Sequence, residues 1–177
     1  MKCVIGLVGE NGAGKSSIAK QIRLSLDRIG TSTILRFSQI LVETLDLWGI
    51  EATRVNLQLL ARQMEVFGKG SLSRAVEKRV ATSDEDVIIL DGIRWWSDFD
   101  LVRGFPCNFV VYVTASQEIR YQRLISRAEK AGERVMTYDQ FLAEDAAPNE
   151  ALIGEIGSVA DYTITNNHSF EEFKDQI

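Results

Sequence analysis

Apolar positions along the chain fall into two alternating patterns. Lys2–Val8, KCVIGLV, is a nearly continuous apolar run, as expected of a strand buried on both faces of a parallel sheet. After the glycine-rich GENGAGKSS, Ile18, Ile22, Leu26 and Ile29 recur at helical spacing, and Gly30 ends the pattern. The β-branched stretch Thr31–Phe37 predicts a second strand, and Ser38–Trp48 a helix closed by Gly49. Thr53–Ala81 has helical periodicity throughout: Leu57, Leu60, Ala61 and Met64 share one face, Gly68 and Gly70 interrupt it, and Leu72, Ala75, Val76 and Val80 resume it. Asp86–Leu90 predicts a third strand that stops at Asp91-Gly92. A short helix with Phe99, Leu101 and Val102 follows, then a fourth strand at Asn108–Val113 and an arginine-bearing helix at Ser116–Lys130. Ala131–Thr137 is polar and predicts a loop. Two short helices at Tyr138–Glu144 and Asn149–Ser158, a fifth strand at Tyr162–Thr165 and a last helix at Phe170–Ile177 complete the chain.

Strands alternating with helices imply an α/β fold with a parallel sheet and right-handed crossovers. No linker, repeat or low-complexity run divides the sequence, so it reads as one domain over 1–177, with a helical insertion at about 38–82. The composition agrees: 177 residues with 45% hydrophobic and 25% charged side chains suit an ordinary globular domain. A core of that size needs no metal or disulfide to hold it. Cys3 and Cys107 each lie in an apolar run. They read as two buried thiols, with a disulfide as the alternative that the lack of a secretory signal disfavours. With no signal peptide and no run of ~18 apolar residues, the expected location is the cytoplasm. The formal net charge of -5 argues against coating duplex nucleic acid, but leaves room for a local basic pocket around a small anion.

Gly9-Glu10-Asn11-Gly12-Ala13-Gly14-Lys15-Ser16 supplies the chemistry for such a pocket. It fits G-x-x-x-x-G-K-[ST], follows a predicted strand and opens a predicted helix. Gly9, Asn11, Gly12, Ala13 and Gly14 can turn successive N–H groups toward phosphate oxygens, backed by the helix N-terminus. Lys15 would neutralise the β- and γ-phosphates, Ser16 would ligate Mg²⁺, and Ser17 lies in the first helical turn. A guanine-reading Asn-Lys-x-Asp segment is missing, which argues against a GTPase. Asp91, at the C-terminal end of the third strand, lies where ligands bind in open α/β sheets. It could join the Mg²⁺ shell or take a proton, and Arg94 could clamp an acceptor phosphate.

Gly9–Ser16 together with Leu90-Asp91-Gly92-Ile93-Arg94 resembles the nucleoside monophosphate kinase superfamily, which includes adenylate-kinase-like enzymes, deoxynucleoside monophosphate kinases and dephospho-coenzyme A kinases. Adenylate kinases read Asp-Gly-Phe-Pro-Arg at this strand end; here the proline is missing and the arginine is one position nearer. Further matches are Arg120-x-x-Arg123-Leu124-x-x-x-Arg127, Asn149-Glu150, Ala160-Asp161-Tyr162, Ile164 and Asn166. The resemblance implies a three-layer phosphate-loop fold with strand order 2-3-1-4-5 and a short lid at about 128–138. Arg120, Arg123 and Arg127 share a helix face, and by resemblance Arg120 and Arg127 close over the transferred phosphoryl. Arg54 and Gln58 look like the Arg-x-x-x-Gln pattern that holds the acceptor, with Ser38 either on the acceptor or capping its helix. Arg123, Asn166 and His168 would border adenine. Phe37, Trp48 and Phe67 are candidates to stack on a base, although helical aromatics more often build core. Of Trp95 and Trp96, one could wall the acceptor pocket.

The expected function is ATP-dependent, Mg²⁺-assisted phosphoryl transfer to a small phosphorylated acceptor, chiefly a nucleoside or deoxynucleoside monophosphate, by a monomer or homodimer. The alternatives are a dephospho-coenzyme A kinase, or, from another class, a non-catalytic nucleotide switch or partner-regulated ATPase.

Overall fold

The computed structural model describes residues 2–26, 30–127, 135–148 and 150–167. Five strands form one parallel sheet: β1 (Cys3–Val8), β2 (Ser32–Arg36), β3 (Val87–Ile93), β4 (Cys107–Thr114) and β5 (Tyr162–Thr165), in the order β2-β3-β1-β4-β5. Helix α1 (Lys15–Leu26) follows β1. Three helices, α2 (Phe37–Leu47), α3 (Arg54–Phe67) and α4 (Ser71–Ala81), separate β2 from β3. The remaining helices are α5 (Trp96–Arg103), α6 (Gln117–Arg127), α7 (Tyr138–Asp145) and α8 (Ile153–Ser158). The predicted helix at 170–177 and most of the segment read as a lid lie outside the described residues.

Strand alternation sorts the core into two layers. Val4, Val8, Ile88 and Leu90 pack on one face with side chains of α2 to α5 and α8. Leu7, Ile89, Val111, Val113 and Ile164 pack on the other with Ile18 and Ala19 of α1. Most buried of the strands, β1 and β3 are nearly continuous apolar runs in sequence, which is why they were readable there. The same alternation puts Asp91 on the face of Ile89, toward α1.

The third strand does not stop at Asp91-Gly92, as its sequence suggests, but runs on to Ile93. Its pairing with β1 shifts register, Leu7 opposite Asp91 and Val8 opposite Ile93, so Gly92 is an extra residue. Gly92 sits at φ 107°, a conformation that side-chain-bearing residues avoid. The bulge resets the alternation. Ile93 joins Leu90 in the core layer, and Asp91 and Arg94 both line one cavity.

Two expectations about caps and thiols change. Ser38 does not cap α2, because the helix already begins at Phe37 with Arg36 in the cap position. Thr53 caps α3 instead, accepting from the Asn56 N–H at 3.2 Å. Cys3 and Cys107 are not free thiols but a disulfide. β1 and β4 pair in the register that sets these residues opposite each other, with Cα atoms 4.6 Å apart, within disulfide reach. Among the described residues, no helix is long and apolar enough to cross a membrane.

The disulfide joins positions 104 residues apart, so it constrains a long loop of the unfolded chain. Cys107→Ser is expected to lower the unfolding free energy by about 2–4 kcal/mol, read as an earlier urea midpoint. An unchanged midpoint would contradict the contribution of this cross-link.

Candidate functional site

The loop from Gly9 to Ser16 lies at the C-terminal end of β1, between the neighbouring strand ends of β3 and β4. Gly12 adopts φ 81°, and a Cβ there would come within 2.6 Å of the Arg120 carbonyl oxygen. The loop is thus pressed against α6 too closely for any side chain at this position.

Polar side chains from other elements hold the loop from behind. The Asn166 amide, at the end of β5, donates to the Ala13 carbonyl at 2.8 Å and is itself buried. Arg123 of α6 donates to the Asn166 carbonyl at 3.0 Å and to its side-chain oxygen at 3.3 Å. Arg120 donates to the Asn11 carbonyl at 3.3 Å and to Ala115 at 3.1 Å, and forks onto Asp145 at 2.6 and 2.7 Å. Tyr112 of β4 donates to the Glu10 carboxylate.

In front of the loop is a cavity of about 580 Å³, within the usual range for a small-molecule site. Asn11, Gly12, Gly14, Lys15, Ser16 and Ser17 form one wall. Phe37, Leu41, Leu57, Ala61 and Leu72 of α2 to α4, together with Trp95, give it an apolar end. Ser38, Gln58, Asp91, Asp98 and Glu150 add polar groups. Six cations, Lys15, Lys20, Arg36, Arg54, Arg94 and Arg127, face three carboxylates there. The chain as a whole is acidic, so this local excess of positive charge stands against its average.

Lys15 folds onto the loop, its ammonium donating to the carbonyls of Gly9 at 2.7 Å and Glu10 at 2.9 Å. Burial holds its pKa at about 8, with Asp91 opposing that shift and Arg94 adding to it. The Ser16 hydroxyl donates to Asp91 at 3.3 Å, and Arg36 stands 3.6 Å from the same carboxylate oxygen. Asp98 accepts from the Ser73 hydroxyl at 2.7 Å and from the N–H groups of Arg94 and Trp95 at 3.1 and 3.2 Å. Burial nonetheless pushes its carboxyl up to about 6.

The structure gathers most of the predicted site residues. Ser38, Arg54, Gln58, Asp91, Arg94 and Arg127 line the cavity with the loop. Arg54 also pairs with Glu144 at 2.8 Å and meets the Asn11 amide oxygen at 2.9 Å. Arg120 does not line it: the side chain is 4% exposed and turned to Asp145. Arg123 and Asn166 stand behind the loop, and His168 lies outside the described residues. Phe37 and Trp95 both wall the cavity and pack on the core. Trp96 packs edge-on against Phe99, whereas Trp48 and Phe67 are exposed and away from the cavity.

Sequence reasoning missed Lys20, Arg36, Asp98 and Glu150 in the cavity wall. Arg36 ends a strand on the ligand side of the sheet, a signal that was present. Lys20 follows Lys15 by more than one helical turn, and only the folded loop brings both to one space. The placement of Glu144, Asp145 and Glu150 has no local signature.

No family model matches the chain. It is 26% identical over 171 residues to a UPF0200 protein of Sulfurisphaera tokodaii, covering 97% of this chain and 91% of that one. Among solved structures it resembles shikimate kinase from Bacteroides thetaiotaomicron, at TM-score 0.67 and 15% identity over 98% of this chain and 93% of the other. It also resembles a gluconokinase from Sinorhizobium meliloti 1021, at TM-score 0.57 and 17% identity over 98% and 88%. The chain has the fold of the phosphate-loop kinases.

The Arg120–Asp145 pair, 4% and 13% exposed, makes the loop's backing testable. Arg120→Ala strands a buried carboxylate and is expected to cost about 3–5 kcal/mol in denaturant unfolding. Arg120→Met combined with Asp145→Leu is expected to recover most of that loss. Equal losses in both proteins would contradict the assignment of the cost to the stranded charge.

Proposed function

We propose that the protein transfers the γ-phosphoryl group of ATP to a small phosphorylated acceptor, a nucleoside or deoxynucleoside monophosphate being the best fit. The observation that carries this reading is the single cavity that joins the glycine loop to an arginine-lined, apolar-walled end. A nucleotide switch needs only the first half of that cavity, and Arg54, Arg94 and Gln58 would then face no ligand.

In this reading the N–H groups around Gly12 and Gly14 and the Lys15 ammonium hold the donor phosphates. An arriving triphosphate replaces the Gly9 and Glu10 carbonyls as the partner of Lys15. Arg94 and Arg54 hold the acceptor phosphate, and Arg127, at the end of α6, adds charge to the migrating group. The apolar wall takes the base, with Gln58 offering an amide to its edge. Arg120 acts indirectly, by fixing Asn11. An acceptor oxygen attacks the γ-phosphorus as the bond to the β,γ-bridging oxygen breaks, and ADP leaves with the electron pair. Excluding water from this space favours transfer over hydrolysis.

The residues present fit Mg²⁺. The Ser16 hydroxyl and Asp91 carboxylate are adjacent hard oxygen donors, as this ion takes together with phosphates and water. Among the described residues no group of three or more His, Cys, Asp or Glu could hold a metal by itself. Ser16 and Asp91 would therefore share the ion with the nucleotide. Bound there, it would neutralise phosphate charge.

The test is ATP consumption across a panel of nucleoside and deoxynucleoside monophosphates and dephospho-coenzyme A. At least one monophosphate is expected to raise turnover, and stimulation by none would favour the switch. Lys15→Ala is expected to lower stimulated turnover by at least about 10²–10³-fold while the circular dichroism spectrum is kept; full activity would overturn the role of Lys15.

The pKa of Lys15 sets a second expectation. In the ligand-free protein it loses its proton as pH rises through about 8. ATP binds the charged form, so binding above that pH must take up a proton. Affinity is expected to fall by roughly tenfold or more between pH 7.5 and 9.5, measured by calorimetry. A flat profile, or the same slope in Lys15→Ala, contradicts this.

A further inference from the structure

Glu150, just before α8, is a buried carboxylate of the cavity whose two oxygens are treated unequally. Its side chain is 4% exposed and lines the cavity. Oε1 accepts from Arg94. Oε2 is also buried, yet has no hydrogen-bond partner among the described residues. Asp91 and Asp98, the other two carboxylates of the cavity, are both bonded. Leaving one oxygen of a buried carboxylate unserved is costly, and such groups in native proteins call for an explanation.

The missing partner must bring a hydrogen to Oε2. A phosphate dianion cannot, and would be repelled. An ammonium could, but six cations already outnumber the carboxylates of this cavity, which disfavours a cationic ligand. A neutral hydroxyl meets both conditions. Position narrows the choice further. The Glu150 charge acts on Lys15, and Glu150 is bonded to Arg94, so it stands at the phosphate end of the cavity rather than at the apolar end of Phe37, Leu41 and Leu57. The group it reads therefore lies beside the phosphate of the acceptor and away from its apolar part.

We propose that Glu150 is a specificity-determining residue that accepts a hydrogen bond from a sugar hydroxyl on the phosphate side of the acceptor, so that the site selects acceptors that carry this hydroxyl over those that lack it. This rests on the reading of the cavity as the acceptor site, and it adds to that reading a contact with the acceptor's sugar. Arg94, held by Glu150 through one nitrogen, keeps its other donors for the phosphate.

The experiment is calorimetric binding of the four ribonucleoside 5′-monophosphates and their 2′-deoxy and 3′-deoxy counterparts, without ATP. For the tightest ribonucleotide, the wild type is expected to bind at least about tenfold more tightly than one deoxy counterpart. Glu150→Gln is expected to shrink that ratio to within about threefold, whatever change in affinity the ribo and deoxy forms share through Arg94. Glu150→Asp keeps the charge near Arg94 but withdraws the oxygen, and gives the same answer if the amide variant does not fold. Wild-type binding of none of these ligands, equal binding of ribo and deoxy forms, or a ratio unchanged in both variants would overturn the proposal. Phosphoryl transfer is read separately. Discrimination that depends on Glu150 without acceptor-stimulated ATP use would sink the kinase reading and leave this one standing.

Discussion

The placement of every other group at the site depends on a loop that cannot hold its shape alone. Between β1 and α1 the backbone turns through glycines, and its carbonyls would be unserved on the side away from the cavity. Asn166 from β5 and Arg120 from α6 supply donors to Ala13 and Asn11, and Tyr112 from β4 bonds to Glu10. Partners from three elements fix a segment that offers its N–H groups forward. Pre-organisation of this kind is what lets such a loop favour an anion without reordering when it arrives. The close approach of Gly12 to α6 shows how little slack is left.

Charge is the second constraint on the site. An acidic chain collects six cations around one cavity, and ligand-free cations at that density repel one another. The fold answers with carboxylates from one stretch, Glu144, Asp145 and Glu150, which pair with Arg54, Arg120 and Arg94 respectively. Two of these arginines face the cavity and one backs the loop. The same short stretch therefore steadies the front and the back of the site. Lys15, with no carboxylate in direct contact among the described residues, rests on backbone carbonyls instead, and burial lowers its pKa to about 8.

The fold was largely legible because buried parallel strands are written as unbroken apolar runs and their crossovers as helical periodicity. The glycine loop was legible because its chemistry is local, with eight consecutive residues carrying it. What escaped was what depends on pairing between distant segments. The bulge at Gly92 shows only against the register of β1, and the Cys3–Cys107 disulfide only once β4 lies beside β1. Arg120 reads as a phosphate-reaching arginine from its helix face, and its turn toward Asp145 follows from α7 packing against α6. Glu150 was visible as part of a family-like pair, but its buried, half-served carboxylate is a property of the assembled cavity.

The central claim is that one cavity brings a donor triphosphate and an acceptor phosphate together. Phosphorus-31 nuclear magnetic resonance of the protein with Mg²⁺, ATP and a binding nucleoside monophosphate tests it most directly. The account predicts that the γ-phosphoryl signal moves onto the acceptor, forming a nucleoside diphosphate in step with the loss of ATP. Loss of ATP matched only by inorganic phosphate, with the monophosphate signal unchanged, would contradict it.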